Sequence, residues 1–125
     1  MNERVIKFRA WEKVSVSDDE GKTYTDDSFM VSWEDMQEEG LEDYLLRGQN
    51  LMQFTGLLDK NGKEIYEGDI LYVEEPLFES EMVNALVEFK KGMFVGQIKN
   101  SWHTVQAFVE PEVIGNIYEN PELTH

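Results

Sequence analysis

The stretch Leu51-Met52-Gln53-Phe54-Thr55-Gly56-Leu57-Leu58-Asp59-Lys60-Asn61-Gly62-Lys63-Glu64-Ile65-Tyr66-Glu67-Gly68-Asp69-Ile70 decides the fold class. Its period is two: Met52 and Phe54 share a face before Thr55-Gly56 breaks the strand. Asn61-Gly62 is a strong hairpin signal, because both residue types tolerate positive φ. Glu64-Ile65-Tyr66 then returns, and Glu67-Gly68-Asp69 turns the chain into Ile70-Leu71-Tyr72-Val73. Gly68 can take the positive φ of such a step, and Asp69 can cap it by accepting from nearby backbone. Short strands punctuated this closely point to an antiparallel sheet rather than a helical bundle.

Outward from this block the pattern continues. Val83, Ala85, Val87 and Phe89 alternate with Asn84, Leu86 and Glu88, and Lys90-Lys91-Gly92 turns the chain into a partner strand, Met93 to Ile98. Trp102 to Val109 is a further extended candidate, and Val113 to Tyr118 a final short strand. Pro121 closes the ordered region, with 121–125 expected to fray. Upstream, Ile6, Phe8 and Ala10 face one side of a half-exposed strand, with Lys7, Arg9 and Trp11 on the other. Ser15 to Thr25 reads as a loose hairpin with Asp18-Asp19-Glu20-Gly21 at its tip.

Ser32 is a helix N-cap with Asp35 in the capping-box position, and Glu34, Asp35, Glu38 and Glu39 suit a positive helix N-terminus. Gly40 interrupts the pattern, which Leu41, Tyr44 and Leu45 resume as far as Arg47-Gly48. The expected fold is mainly β with minor α: a small antiparallel, partly open SH3-like barrel or barrel-like sheet. A short helical acidic insert, about 15–48, interrupts a single domain over 1–125.

The composition narrows the function. The 125 residues carry 26 acidic and 11 basic side chains, a formal charge of −15, with 41% hydrophobic and 12% aromatic residues. That is too apolar for a disordered chain. Asp18 to Asp43 holds eleven carboxylates against one lysine, Lys22. Such a field favours solubility and repels phosphate backbones, so nucleic acid is a disfavoured partner. Cysteine is absent, which excludes disulfides, thiolate zinc sites and thiol catalysis. Met1 to Lys7 lacks the apolar stretch of a signal peptide, and no apolar run is long enough to span a membrane. A cytoplasmic protein is expected.

Three blocks carry a resemblance. Ile6-Lys7-Phe8-Arg9-Ala10-Trp11, the block from Leu51 to Ile70, and Val113-Ile114-Gly115-Asn116-Ile117-Tyr118-Glu119-Asn120-Pro121 together resemble the YopX-like family of phage and prophage proteins. The resemblance implies a small, mostly β protein encoded by a bacteriophage or integrated prophage. It implies no activity, cofactor or catalytic residue.

The candidate sites are therefore surfaces. Lys7, Arg9 and Trp11 are the best binding candidate, because an aromatic among cations can stack a base or receive an acidic partner. The competing reading lays Arg9 over Trp11 and pairs it with the protein's own carboxylates. Glu34, Asp35, Glu38 and Glu39 form a second candidate, an acidic surface for a basic partner. Asp59, Glu64, Glu67 and Asp69 resemble a hard-cation cluster, but their spacing matches no calcium loop and Lys60 and Lys63 intervene, so a solvated hairpin is expected. His103 beside Trp102 reads as a packed or surface residue, and His125 is terminal. No Gly-x-Ser-x-Gly, phosphate-binding loop or metal-spaced His pair occurs.

No catalytic, cofactor-binding or metal residue is thus expected. The favoured function is a non-enzymatic phage or prophage accessory protein acting on a host or phage protein. The alternative is a small-barrel nucleic-acid binder using Lys7, Arg9, Trp11 and the Lys90-Lys91 pair. Exposed strand edges and fifteen aromatics can also supply a homo-oligomer interface.

Overall fold

The computed structural model describes residues 5–13, 15–25, 28–47, 50–77 and 81–124. The architecture is mostly β, with antiparallel sheets, one of them curled like half a barrel, and two short helices. Two compact units emerge, Lys7–Met52 and Met1–Ile6 with Gln53–His125.

In the first unit, β1 (Phe8–Glu12) runs antiparallel to β4 (Phe29–Val31), setting Ala10 opposite Val31 and Trp11 opposite Met30. β2 (Ser15–Ser17) and β3 (Thr23–Thr25) form the expected hairpin. Its tip is tied by the Asp18 carboxylate, which accepts from the Glu20 and Lys22 amides at 3.0 and 2.8 Å. Helix α1 (Trp33–Glu39) begins where predicted, with the Asp35 amide donating to the Ser32 hydroxyl at 3.2 Å. It ends at Gly40, whose φ of 127° no side-chain-bearing residue adopts comfortably, and α2 (Leu41–Arg47) follows at once. Ala10, Val31 and Met36 form this unit's core, with Phe8, Leu41, Tyr44 and Leu51 against it. Helices of this length do not hold themselves together in water. Burial of that one apolar stripe is what stabilises them.

One expectation changes here, and one strand is new. Ile6 stands outside β1 and is exposed, so the buried face of the strand is Phe8 and Ala10 alone. β4 is not read from the sequence, because its three residues carry no flanking hairpin signal like the Asn61-Gly62 that marks β6.

In the second unit the rest of β5 (Leu51–Leu58) pairs with β6 (Glu64–Tyr66). The strand is not broken at Thr55-Gly56. It continues with a register shift between Phe54 and Leu58, and Gly56 absorbs the irregularity at φ 87°. β7 (Asp69–Glu74), β8 (Met82–Lys90), β9 (Met93–Ile98), β10 (Ser101–Thr104) and β11 (Glu112–Asn116) form a sheet in the order β10-β9-β8-β7-β11. Lys91 and Gly92 join β8 to β9 with φ 52° and 79°, the two-residue turn that matches strand twist. Ile65, Leu71, Val73, Ala85, Val87 and Phe108 lead the core of this unit.

The extended stretch expected to Val109 stops at Thr104, where a 3₁₀ turn (Val105–Ala107) swings Phe108 into the core. The described tail runs through Thr124, and His125 lies outside the described residues. Pro121–Thr124 forms a 3₁₀ turn, and the Asn84 amide donates to the Leu123 carbonyl at 3.1 Å.

Candidate functional site

The helical acidic surface is built as the sequence implies. Glu34, Asp35, Glu38 and Glu39 on α1 are all exposed, as are Glu42 and Asp43 on α2. The Asp35 amide donates to the Ser32 hydroxyl, and the first-turn Glu34 and Asp35 carboxylates favour the helix N-terminus. Arg47, in the last turn of α2, is the one cation of this helical pair. It is already committed: its guanidinium lies 3.0 Å from Glu12, 3.9 Å from Asp43, and 4.6 Å above the Tyr44 ring. Desolvation lowers the Arg47 pKa, but the Glu12 carboxylate outweighs it and the net direction is upward. The Tyr44 hydroxyl donates to Glu39 at 2.6 Å, and this bond to a carboxylate pushes the phenol above its ordinary value.

Of the Lys7, Arg9 and Trp11 set, Lys7 precedes β1 and only Arg9 and Trp11 lie on the strand. All three are half-buried, not an exposed platform. Trp11 instead shares a small polar cavity of about 80 Å³ with Glu12, Lys13, Tyr44, Arg47 and Asn50. Asn50 holds that wall at φ 53°, accepting from the Trp11 amide at 3.1 Å and donating from Nδ2 to its carbonyl at 3.2 Å. Sequence spacing could not place Arg47 and Tyr44 beside Trp11. The contact is set by the helical pair folding over β1.

The other carboxylate cluster is a correction. Asp59 and Asp69 are not on a solvated hairpin: they are 7% and 1% exposed. Asp59 accepts from the amides of Asn61 (2.8 Å), Lys63 (2.9 Å) and Val113 (3.0 Å). Burial alone would raise its pKa, yet these three amides and the Lys63 charge hold it below the ordinary value. Asp69 accepts from the Tyr66 amide at 2.7 Å across Gly68, whose φ is 89°. Both are turn clamps. Among the described residues no group of three or more His, Asp or Glu is arranged to hold a metal ion.

His103 is packed: its Nε2 lies 3.3 Å from Glu75 and its ring meets Phe108 edge-on at 6.1 Å. Glu75 is 6% exposed and also accepts from the Leu77 amide at 3.0 Å. No sequence signal pairs these two residues.

The geometry defines a class, a small antiparallel β protein bearing an acidic helical pair. The YopX protein family model matches residues 7–125, and the chain belongs to that family. A solved structure, protein EF1440 from Enterococcus faecalis, is similar over 98% of this chain and 100% of its own, with a TM-score of 0.54 and 25% identity. No curated protein matches. No helix among the described residues is long and apolar enough to cross a membrane.

Proposed function

We propose that the chain is a non-enzymatic accessory protein of a phage or prophage, acting in the bacterial cytoplasm as a protein-interaction module. Its contact surface is the acidic face of α1 and α2, and its partner is a host or phage protein with a basic surface. One observation carries this reading: Glu34, Asp35, Glu38 and Glu39 are exposed, and Arg47, the cation of the helical pair, is occupied by Glu12. Leu45 and Leu46, 42% and 78% exposed on the same helical pair, add apolar contact area to the charge. Charge of one sign on a fixed scaffold steers an oppositely charged partner and fixes its orientation. No residue is assigned a catalytic role.

The test is capture from host lysate treated with nuclease, comparing wild type with the variant Glu34→Gln, Asp35→Asn, Glu38→Gln, Glu39→Gln. A basic protein retained by wild type and lost from the variant supports the proposal. Equal retention by the variant removes the acidic surface from the account. Retention that vanishes with nuclease favours the alternative, nucleic-acid binding through Lys7, Arg9 and Trp11.

A further inference from the structure

We propose that Asn61 is a self-modification site, whose side-chain amide converts to aspartate or isoaspartate without an enzyme, and that the Asp59 clamp sets the rate. Asn61 and Gly62 are both exposed in the turn between β5 and β6. The Asn61 carboxamide has no hydrogen-bond partner among the described residues; only its backbone amide is engaged. Gly62, at φ 83°, has no side chain to shield its nitrogen, and open space surrounds the place a Cβ would take. Asparagine is a thermolabile side chain, and this one meets the least hindered nitrogen a following residue can offer. The reaction needs only water. The Gly62 nitrogen attacks Cγ of Asn61, the new N–Cγ bond closes a cyclic imide, and the Cγ–Nδ2 bond breaks. The Gly62 proton leaves with Nδ2 as ammonia. Water then opens the ring, giving aspartate at the side-chain carbonyl or isoaspartate at the main-chain one.

The folded turn opposes the first step. The Gly62 amide donates to the Asp59 carbonyl at 3.0 Å, which holds its proton and keeps its nitrogen in the turn. The Asp59 carboxylate accepts from the Asn61 and Lys63 amides at 2.8 and 2.9 Å, and the Asp59 amide closes the loop on the Lys63 carbonyl at 2.7 Å. Attack therefore waits for this turn to open, and the observed rate is the chemical rate scaled by the open fraction. The product undoes the clamp that delayed it. Isoaspartate adds a main-chain atom between residues 61 and 62, inside the loop that Asp59 and Lys63 close, and either product places a new negative charge beside the Asp59 carboxylate. That carboxylate also accepts from the Val113 amide at 3.0 Å, so the change reaches β11.

The inference stands apart from the proposed function, since the four helical carboxylates take no part in it. The experiment follows the full chain at one mildly alkaline pH and one temperature. Three samples are compared: folded wild type, wild type unfolded in guanidinium, and folded Asp59→Ala. Peptide mapping by mass spectrometry separates asparagine, aspartate and isoaspartate at position 61, and hydrogen exchange reads opening at the Gly62 amide. Unfolded wild type is expected to convert about tenfold or more faster than folded wild type. Asp59→Ala is expected to convert about tenfold faster than wild type, with Gly62 exchange rising by a similar factor. Asn100, exposed between β9 and β10, should convert at its wild-type rate in that variant. An unfolded chain that does not convert at Asn61, or converts no faster than the folded one, overturns the inference. So does an Asp59→Ala protein whose Gly62 amide exchanges faster while Asn61 converts no faster. Conversion at Asn100 rising in step with Asn61 overturns the role of the clamp, because the whole unit is then opening. Where circular dichroism shows Asp59→Ala unfolded, wild type in guanidinium below its transition replaces it. Asn61 conversion should then rise in proportion to Gly62 exchange, and conversion independent of that exchange overturns the inference.

Discussion

The helical pair of one unit and the turns of the other use carboxylates for opposite ends. In Gln53–His125 the carboxylates and amides that matter are buried against backbone: Asp59 and Asp69 clamp turns, and Asn116 accepts from the Tyr118 and Glu119 amides at 3.0 and 2.9 Å. In Lys7–Met52 the carboxylates of α1 and α2 stand in solvent. The lesson is that an acidic residue's role follows from unpaired amides within reach. Three amides turn Asp59 into structure; none are left over for Glu38, so it remains surface.

The comparison can be broken from either side. The largest effect is expected from Met36→Ala, because Met36 is the 0%-exposed residue that holds both helices to β1. Loss of about 3 kcal/mol should appear as faster amide hydrogen exchange in Lys7–Met52, with β7, β8 and β9 unaffected. Equal acceleration in both units would mean they unfold as one.

Next is Asp59→Ala, which removes the acceptor of three part-buried backbone hydrogen bonds and should cost about 1–3 kcal/mol in urea unfolding. Its pH dependence has a definite sign. The folded pKa lies below the ordinary 3.8, so the stabilisation is complete above that value and is lost as pH falls through the depressed one. Asp59→Asn should therefore flatten the acid limb of the wild-type stability curve. An unchanged acid limb would place the titration elsewhere.

A smaller effect, about 1 kcal/mol, is expected from Ser32→Ala, which removes the hydroxyl acceptor at the start of α1. A similar loss is expected from Gly40→Ala, which forces a side chain into φ 127°. Thermal melts with helical circular dichroism check both. No change would mean that tertiary burial alone sets these helix ends.

What was legible in the sequence was local. Ser32, Gly40 and the Lys91-Gly92 turn announce themselves because cap and turn chemistry acts within a few residues. What was not legible was distant. Asn61-Gly62 marks the right turn, but Gly62 alone takes positive φ, at 83°, and the clamp is Asp59. Asp59 is buried because Val113, fifty-four residues on, donates to it. Asn84 reaches Leu123 across thirty-nine residues, a tie that the tail's composition does not announce. Gly96 reads as an ordinary strand glycine, yet a Cβ there would enter the Phe108 ring and meet Ala85 at 3.2 Å. The surface candidates divided the same way. Cap chemistry placed Glu34, Asp35, Glu38 and Glu39 on a helix, where they are exposed, whereas Lys7 precedes the strand that was to carry it.

The central claim is that the helical carboxylates serve recognition and not folding. Urea unfolding of the Glu34→Gln, Asp35→Asn, Glu38→Gln, Glu39→Gln variant should therefore be run beside titration of the captured partner. Glutamine at 39 keeps an acceptor for Tyr44, so unfolding is predicted to stay within about 0.5 kcal/mol of wild type while partner affinity collapses. A variant that unfolds readily, or one that still binds as tightly as wild type, contradicts the account.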